Sequence, residues 1–261
     1  MYFRGKKTIL TIAASDPSGG AGVQRDIKVF ADFRLTGLSA ITALTIQNQK
    51  KVKAVLPVPA DFVIEQIDTL LEENTIDAVK LGMLAKAETV IALSSLFKKK
   101  RFKKIVVDPV LVSSSGYPLL DKKGIILLKE RLLSFATVVT PNLNEAAALA
   151  GMKKVSNIEE MKLAAVRIKE LKPVFVLIKG GHLQETKSQK SKIKSRAIDI
   201  LYDGKNFKIF EAERIKGGLH GTGCIFSSAI ASCLANGMDI IDSIKKAKLY
   251  TAGLIRQGVG C

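Results

Sequence analysis

The chain has 261 residues, of which 47% are hydrophobic, so it is long enough to bury the core of one large α/β domain. Its 41 Lys and Arg against 24 Asp and Glu give a net charge of +17, which favours acidic partners such as a phosphorylated small molecule. Three cysteines without Cys-x-x-Cys spacing and only two histidines argue against a disulfide framework and a histidine-based metal cluster, and no apolar run reaches the roughly 20 residues of a membrane helix.

Short apolar runs alternate with amphipathic segments of helical period through most of the chain, which predicts βαβ units and a mainly parallel sheet. The predicted strands are residues 8–13, 40–45, 78–81, 105–107, 137–139 and 174–178. The predicted helices are residues 22–33, 60–73, 88–98, 122–133, 157–170, 223–235 and 240–256. Residues 183–196 are polar and are predicted to form an exposed loop, and Asp203-Gly204 predicts a hairpin between residues 197–202 and 207–212.

A glycine-rich turn, residues 15–22, follows the first predicted strand and precedes the first helix. It lacks the Gly-x-Gly-x-x-Gly spacing of dinucleotide-binding proteins, and no Gly-x-x-x-x-Gly-Lys-Ser/Thr loop occurs in the chain. If this protein binds a phosphate group, it must therefore do so without either of these two motifs.

Polar side chains follow three of the predicted strands at the point where each strand ends. Asp108 follows residues 105–107, Asn142 and Glu145 follow residues 137–139, and Lys179 follows residues 174–178. Ligands of parallel α/β sheets bind beyond the carboxyl ends of the strands. We therefore expect these side chains to border the ligand site.

Asn142 and Glu145 are three residues apart at a predicted helix start, so they share one face of the helix. Together they have the chemistry to hold the water shell of Mg²⁺, which takes few protein ligands. A capping box, in which the two residues satisfy the first N–H groups of the helix, explains the same spacing.

The strongest single motif is residues 220–224, which contain Gly221, Thr222 and Gly223. This motif runs directly into the predicted helix of residues 223–235. Glycines let the backbone approach a ligand, and the first N–H groups of a helix attract an anion. The motif predicts a phosphoryl-binding site, and the alternative is an ordinary glycine loop that caps the helix.

Cys224 follows this motif at the start of the helix, where cationic groups and the helix dipole are expected to lower the pKa of its thiol. We predict some thiolate near neutral pH, which would accept a proton from a substrate hydroxyl. The alternative is a small buried apolar side chain, as we expect for Cys233.

Seven motifs, in this order, resemble those of the hydroxymethylpyrimidine/phosphomethylpyrimidine kinases of thiamine biosynthesis. They are residues 11–24, 41–48, 80–84, 107–110, 140–142, 179–182 and 220–224. The resemblance covers nearly the whole chain. It implies a single ribokinase-like domain over residues 1–261, a three-layer α/β/α sandwich with a mainly parallel central sheet, which usually forms a homodimer.

The resemblance also implies an ATP-dependent phosphorylation of 4-amino-5-hydroxymethyl-2-methylpyrimidine and then of its monophosphate, with Mg²⁺. The pyrimidine pocket would be built from the backbone near Ala14, Asp26, Gln47, Met83 and Val110. The nucleotide site would include Asp108, Asn142, Glu145 and Lys179. Mg²⁺ would be bound through water by Asp108 and Glu145, Gly221-Thr222-Gly223 would bind the developing anion, and Cys224 would be catalytic.

The sequence departs from the family pattern at Ala14, where glycine is common, and at Gln49, where threonine is usual.

A pyridoxal or pyridoxine kinase is the second interpretation of the function, and Gln47 favours the aminopyrimidine because its amide both donates and accepts hydrogen bonds. A binding protein without activity, for example one that binds nucleic acid, is the third. Because the basic residues are scattered without interleaved aromatics, we expect no specific nucleic-acid or membrane partner and a cytoplasmic location.

Overall fold

A computed structural model describes residues 6–181, 196–213, 215 and 221–258 of the chain. Within these ranges the strands are β1 (Thr8–Ser15), β2 (Thr36–Gln47), β3 (Val52–Pro57), β4 (Ala78–Leu81), β5 (Ile105–Val107), β6 (Val138–Val139), β7 (Phe175–Gly180), β8 (Arg196–Tyr202) and β9 (Phe207–Glu213). The α-helices are α1 (Gly22–Asp32), α2 (Ala60–Glu73), α3 (Ala87–Lys100), α4 (Lys122–Leu127), α5 (Leu143–Ala150), α6 (Ile158–Lys169), α7 (Thr222–Ala235) and α8 (Ile240–Arg256).

All nine strands join one sheet in the order β3-β2-β1-β4-β5-β6-β7-β8-β9. The six strands from β2 to β7 in this order are parallel to one another, and β3, β8 and β9 pair antiparallel at the two edges. The predicted mainly parallel sheet is therefore confirmed. The single domain over residues 1–261 stays a prediction.

Helices cover both faces of the sheet, because its central strands are apolar on both sides. In β1, Leu10 and Ile12 belong to the core that α2, α3 and α6 cover, whereas Ile9 belongs to the core that α1, α7 and α8 cover. Successive side chains of a strand point to opposite faces, so a strand buried on both faces must be apolar at nearly every position. The predicted three-layer α/β/α arrangement is confirmed.

Strand β3 was absent from the predicted elements, and of α5 only the start near Asn142 was predicted. Strand β3 (Val52–Pro57) has a half-exposed burial pattern and ends in proline, which suits only an edge strand, and α5 (Leu143–Ala150) is so rich in alanine that its apolar period is weak. The helix predicted over residues 122–133 begins as α4 and continues as a π-helical turn, Leu128–Leu132, and a 3-10 turn, Leu133–Phe135.

The predicted hairpin is confirmed by the antiparallel pairing of β8 with β9. Gly204 has a φ of +104° in its turn, and the Asp203 carboxylate accepts hydrogen bonds from the N–H groups of Lys205 and Asn206 at 2.6 Å. Of the predicted polar loop, only Arg196 lies within the described residues, where it begins β8. Among the described helices, none has the length and apolar character needed to cross a bilayer.

Candidate active site

Asp108 and Lys179 meet at the carboxyl edge of the sheet, as the sequence predicts. Their strands β5 and β7 flank β6, and the Lys179 N–H donates to the Pro141 carbonyl at 2.8 Å, which fixes the lysine beside Asn142. The Lys179 Nζ then lies 2.7 Å from the Asp108 Oδ1. The lysine side chain is 14% exposed and the aspartate side chain 3%, so the pair is largely shielded from water.

Further hydrogen bonds hold the Asp108 carboxylate in place. Ser227 Oγ of α7 donates to Oδ2 at 3.1 Å, and Thr140 Oγ1 donates to Oδ1 at 3.4 Å. Burial alone would raise the pKa of Asp108, but the charges of Lys179 and Lys80 and the hydrogen bonds from Lys179 and Ser227 lower it below its usual value. Asp108 is therefore a fixed negative charge at the end of β5.

Asn142 and Glu145 form the capping box that was the alternative interpretation of their spacing. The Asn142 Oδ1 accepts from the Glu145 N–H at 2.9 Å, and the Glu145 Oε2 accepts from the Asn142 N–H at 2.8 Å. Burial, together with the charge of Asp108, raises the pKa of Glu145 to about 7 although Lys179 opposes the shift. Glu145 and Asp108 therefore repel each other, and both are attracted by the ammonium group of Lys179.

This surplus of negative charge fits a divalent cation. Within the described part of the chain, no three His, Cys, Asp or Glu residues are grouped to hold a metal ion directly. Two carboxylates are nevertheless sufficient for Mg²⁺, which keeps several waters and binds proteins through few ligands. Asp108 and Glu145 thus fit the predicted binding of Mg²⁺ through water.

The raised pKa of Glu145 gives a testable pH dependence of stability. Because the folded state favours the protonated carboxyl, Glu145 contributes stability below its unfolded value of 4.5 and loses that contribution as the pH rises through about 7. In metal-free protein, Glu145→Gln should therefore gain stability relative to wild type between pH 5 and pH 8, on the order of 1–3 kcal/mol, measured by urea unfolding.

Glu160 provides a matched control, because it occupies the same position in α6 relative to the N-cap Asn157. Its pKa is lowered by hydrogen bonds with Ser156, so Glu160→Gln should not reproduce the gain at pH 8. A pH-independent difference between wild type and Glu145→Gln would contradict the burial of an ionisable Glu145.

The glycine motif lies where the sequence places it, at the start of α7. Gly221 is the N-cap of the helix with a φ of +79°, and it has no side chain to cap the first N–H groups. A Cβ at Gly221 would lie 1.9 Å from the Gly20 carbonyl oxygen, so this position requires glycine, and the predicted turn of residues 15–22 touches the start of α7. A Cβ at Gly223 would lie 3.2 Å from Lys179 Nζ. The described part of the motif therefore combines a helix N-terminus with an ammonium group, while His220 lies outside the described residues.

The predicted lowering of the Cys224 pKa is wrong. Burial raises the pKa of the thiol to about 11, and the negative charges of Asp108 and Asp26 add to the rise, whereas Lys80 and Lys179 oppose it. Reasoning from the helix N-terminus alone left out the loss of solvation at this half-buried position. Cys224 is therefore a neutral thiol near pH 7, and Cys233 is buried as expected.

Three of the predicted pocket residues pack into one apolar cluster at the same edge of the sheet. Ala14, Met83 and Val110 share it with residues that the sequence did not single out, Ala43, Val52, Val55, Ala85, Tyr117 and Leu119. Gln47 lies two positions beyond Thr45 on the same face of β2 and is half-buried. The Thr45 Oγ1 donates to the Ser15 carbonyl at 2.9 Å, which ties this strand to the end of β1.

The side chain of Asp26 is buried among residues of β1, β4 and α7. Its carboxylate is completely buried and accepts hydrogen bonds from Thr11 Oγ1 at 2.6 Å, Ser228 Oγ at 2.6 Å and Lys80 Nζ at 2.9 and 3.0 Å. Both oxygens are therefore engaged with the protein. The side chain of Asp26 therefore belongs to a buried network, and the contribution of its backbone to the pyrimidine pocket stays a prediction.

Sequence reasoning missed the other members of this network, Lys80 and Ser228, and also Ser227. Their signal was present: a lysine interrupts the apolar strand Ala78–Leu81, and two serines interrupt a helix whose residues 225–235 are all buried. Polar residues in such places need partners, which local patterns do not identify.

The chain matches the family model described as phosphomethylpyrimidine kinase over residues 16–261. It is 41% identical to the hydroxymethylpyrimidine/phosphomethylpyrimidine kinase of Aquifex aeolicus, over 95% of this chain and 93% of that protein. It is also 41% identical to the thiamine biosynthesis bifunctional protein ThiED of Geobacter sulfurreducens, over 95% of this chain. The chain spans about half the length of that second relative, 49%.

Solved structures have the same fold. The crystal structure of phosphomethylpyrimidine kinase from Clostridium difficile superposes with a TM-score of 0.82 at 38% identity, and it covers 96% of this chain and 100% of that chain. The pyridoxal kinase of Staphylococcus aureus, in complex with pyridoxal, superposes with a TM-score of 0.85 at 34% identity over 96% of this chain and 88% of that chain. Both neighbours act as kinases of small molecules according to their names, and both confirm the ribokinase-like fold expected from the sequence.

Proposed function

This chain belongs to the phosphomethylpyrimidine kinase family, and we propose that it transfers the γ-phosphoryl group of ATP to 4-amino-5-hydroxymethyl-2-methylpyrimidine and then to the resulting monophosphate. The observation that carries the proposal is the position of Lys179, whose Nζ lies 2.7 Å from Asp108 and 3.2 Å from the Cβ position of Gly223. An ammonium group beside a helix N-terminus suits a transferred phosphoryl group, and the apolar cluster next to it suits a small aromatic ring.

The pyrimidine would lie against the cluster of Ala14, Met83 and Val110, with the Gln47 amide at its polar edge. Among the described residues, no hydrogen bond uses the Gln47 amide, so its donor and its acceptor are available for a ring nitrogen and an amino group. This pairing distinguishes an aminopyrimidine from an apolar ring of the same size, because an apolar ring would leave the Gln47 amide without water and without a hydrogen-bonding partner.

The phosphoryl group would pass between the nucleotide and the hydroxymethyl oxygen at the start of α7. The N–H groups of Gly221, Thr222 and Gly223 would face the charge that develops on the phosphoryl oxygens, and Lys179, whose Nζ lies beside Gly223, would help to neutralise it. Bound Mg²⁺ supplies charge neutralisation to the nucleotide phosphates. Asp108 and Glu145 would hold it through water, and Asn142 orients Glu145 through the capping box.

We further propose a homodimer in which the exposed face of the β2–β3 hairpin is covered by a second copy. Leu44 is paired with Leu56 across the two strands, and both are exposed, at 48% and 65%, beside Ile46 at 63%. These residues point away from the face that carries Ala43 and Gln47, so the dimer would leave the pocket face accessible. The cytoplasmic location and the absence of a specific nucleic-acid partner stay predictions from the sequence.

The test of the function is the rate of ADP formation with hydroxymethylpyrimidine, its monophosphate and pyridoxal in parallel. We expect the highest specificity constant for a pyrimidine, and Gln47→Leu should raise the KM for hydroxymethylpyrimidine by about 10-fold or more because the ring loses its hydrogen-bonding partner. Gln49→Leu, at an exposed glutamine two residues away, is the control and should leave the KM unchanged.

The similarity to pyridoxal kinases makes a hydroxymethyl-substituted pyridine the second candidate substrate. A specificity constant that is higher for pyridoxal than for either pyrimidine would reverse the assignment. An unchanged KM in Gln47→Leu would remove this side chain from the pocket and leave the phosphoryl site unaffected.

A further inference from the structure

Lys80 is a charged residue in the centre of the sheet. It belongs to β4, between β1 and β5, and its side chain is completely buried. Val79 and Leu81 point into the core that α2 and α3 cover, so Lys80 points to the opposite face, toward α1 and α7. There its Nζ lies 3.0 and 2.9 Å from the two carboxylate oxygens of Asp26, which is also completely buried.

The Lys80–Asp26 pair is attached to the helix that carries Cys224. Ser228 Oγ of α7 donates to Asp26 Oδ1 at 2.6 Å. Ser228 lies four residues after Cys224, so the two side chains share one face of α7, one turn apart, and both lean toward the helix N-terminus. The pair therefore lies one helical turn below Cys224, on the same side of the helix.

A second contact places the ammonium group at the edge of the site. A Cβ on Gly82 would lie 3.1 Å from Lys80 Nζ, and Gly82 directly precedes Met83 of the apolar cluster. Thr11 Oγ1 donates to Asp26 Oδ2 at 2.6 Å, so the carboxylate is held from β1, β4 and α7 together. The position of the charge is therefore fixed by three elements of the fold.

Packing alone does not account for this pair. Two buried charges cost several kcal/mol of desolvation, and apolar residues of similar volume often stabilise a core at least as well. A buried pair fixed so close to a reactive group is an indication of function.

We propose that Lys80 is a positioning residue of the kinase reaction, which holds a fixed positive charge below Cys224 and stabilises the thiolate that accepts the proton of the attacking hydroxyl. The hydroxyl O–H bond breaks as the S–H bond forms, and the alcohol oxygen bonds to phosphorus while ADP leaves. The role in this step rests on the proposed function, but the effect of Lys80 on the thiol does not.

The electrostatics support the proposal. Among the described residues, the charged groups with the largest effects on the Cys224 thiol are Lys80 from β4, Asp26 from α1, Asp108 after β5 and Lys179 from β7. Burial raises the pKa of the thiol, and Lys80 opposes the rise more than Lys179 does, while both aspartates add to it. The pKa of Lys80 itself, although burial lowers it, is raised overall by Asp26, Cys224 and Asp108, so the lysine keeps its charge over the working pH range.

The direct test is the pH dependence of Cys224 alkylation by iodoacetamide in the intact protein, followed by mass spectrometry of the peptide that contains this cysteine. Lys80→Met keeps the length of the side chain without its charge. We expect alkylation to be at least 10-fold slower than in wild type at pH 8.5 and its midpoint to shift to higher pH, because the thiolate loses its main stabilising charge.

Lys104→Met is the matched control. Lys104 Nζ also contacts α7, but it donates to the Leu234 carbonyl at 2.6 Å, at the opposite end of the helix from Cys224. This variant should titrate like wild type. If it shifted the midpoint as much as Lys80→Met does, the effect would be general to α7 and the proposal would fail.

Removing Lys80 alone leaves Asp26 buried without its counter-charge and so destabilises the single variant, whose folding is checked by circular dichroism. The double variant Lys80→Met/Asp26→Asn removes both charges and keeps side chains able to bond to Thr11 and Ser228. Because Lys80 outweighs Asp26 at Cys224, the double variant should also alkylate more slowly than wild type. An unchanged midpoint in a folded double variant would overturn the proposal.

The kinase assay separates this proposal from the function on which it rests. Lys80→Met should slow phosphorylation of the alcohol more than that of the monophosphate, since only the alcohol must lose a proton. Equal losses with both substrates would reduce Lys80 to a structural role. A wild-type protein without kinase activity would refute the function instead, and the alkylation experiment would still decide the role of Lys80.

Discussion

Lys179→Met should lower kcat by about 10² to 10³-fold for hydroxymethylpyrimidine and for its monophosphate alike. Both reactions transfer the same phosphoryl group, and the Lys179 ammonium is placed beside Asp108 and the start of α7, where that group would pass. Because the pair is largely shielded from solvent, the Lys179 charge would stabilise the transition state more strongly than a fully solvated ammonium group would. Steady-state rates of ADP formation with each substrate measure the effect.

The variant will also be less stable, because Asp108 loses its counter-charge in a buried place. Breaking a buried pair costs about 3 kcal/mol or more, so rates should be compared at a temperature where circular dichroism shows both proteins folded. Lys248→Met is the control for this cost, since Lys248 forms another largely buried pair, 2.5 Å from Asp199. It should lower the melting temperature while keeping kcat within about 10-fold of wild type.

The two substrates give the experiment a second outcome. If only the reaction of the monophosphate is slowed, Lys179 contacts the phosphate of the pyrimidine substrate instead of ATP. If neither reaction is slowed in a folded protein, the pair of Lys179 and Asp108 is structural, and the observation that carries the proposed function is lost.

The sequence predicted the position of the site better than its chemistry. Asp108 and Lys179 could be placed together because each ends a predicted parallel strand, and such ends meet at one edge of a sheet. Likewise, a glycine motif before a helix indicates a helix N-terminus by local rules alone. Local sequence patterns were therefore sufficient to place residues, such as Asp108 and Lys179, that lie at the end of a strand or at the start of a helix.

Long-range contacts could not be predicted in the same way. The partner of Lys80 is Asp26, 54 residues earlier in the chain, and only the packing of α1 and α7 on the sheet brings them together. The family resemblance predicts that the backbone near Asp26 contributes to the pyrimidine pocket, but it does not predict that both carboxylate oxygens accept hydrogen bonds within the protein. Burial of this kind depends on tertiary structure, which local patterns do not contain.

The pKa of Cys224 shows the same limit. Its position at the start of α7 argues for a lowered pKa, and its burial, which the sequence does not reveal, raises the pKa to about 11. A base with so high a pKa is strong but rarely ionised near neutral pH. The rate of a reaction that depends on the thiolate should therefore increase with pH up to about 11, because the ionised fraction increases roughly tenfold per pH unit below the pKa.

Cys224→Ala should separate the two phosphorylations, because their nucleophiles differ in charge. The alcohol of hydroxymethylpyrimidine must lose a proton during transfer and should be slowed by about 10² to 10⁴-fold without the base. The monophosphate attacks through an oxygen that is already anionic near pH 7, so it should lose much less, while the N–H groups at Gly221 and Gly223 continue to serve both reactions.

The pH profile decides between a base and a packing residue at this position. In wild type, the rate with the alcohol should rise with pH while the rate with the monophosphate should not, and in Cys224→Ala the rise should disappear. Cys233→Ala is the matched control, because this buried cysteine lies on the same helix more than two turns away from the site. Equal losses with both substrates in Cys224→Ala would indicate a shared packing role, because a missing base cannot slow a nucleophile that has no proton to lose.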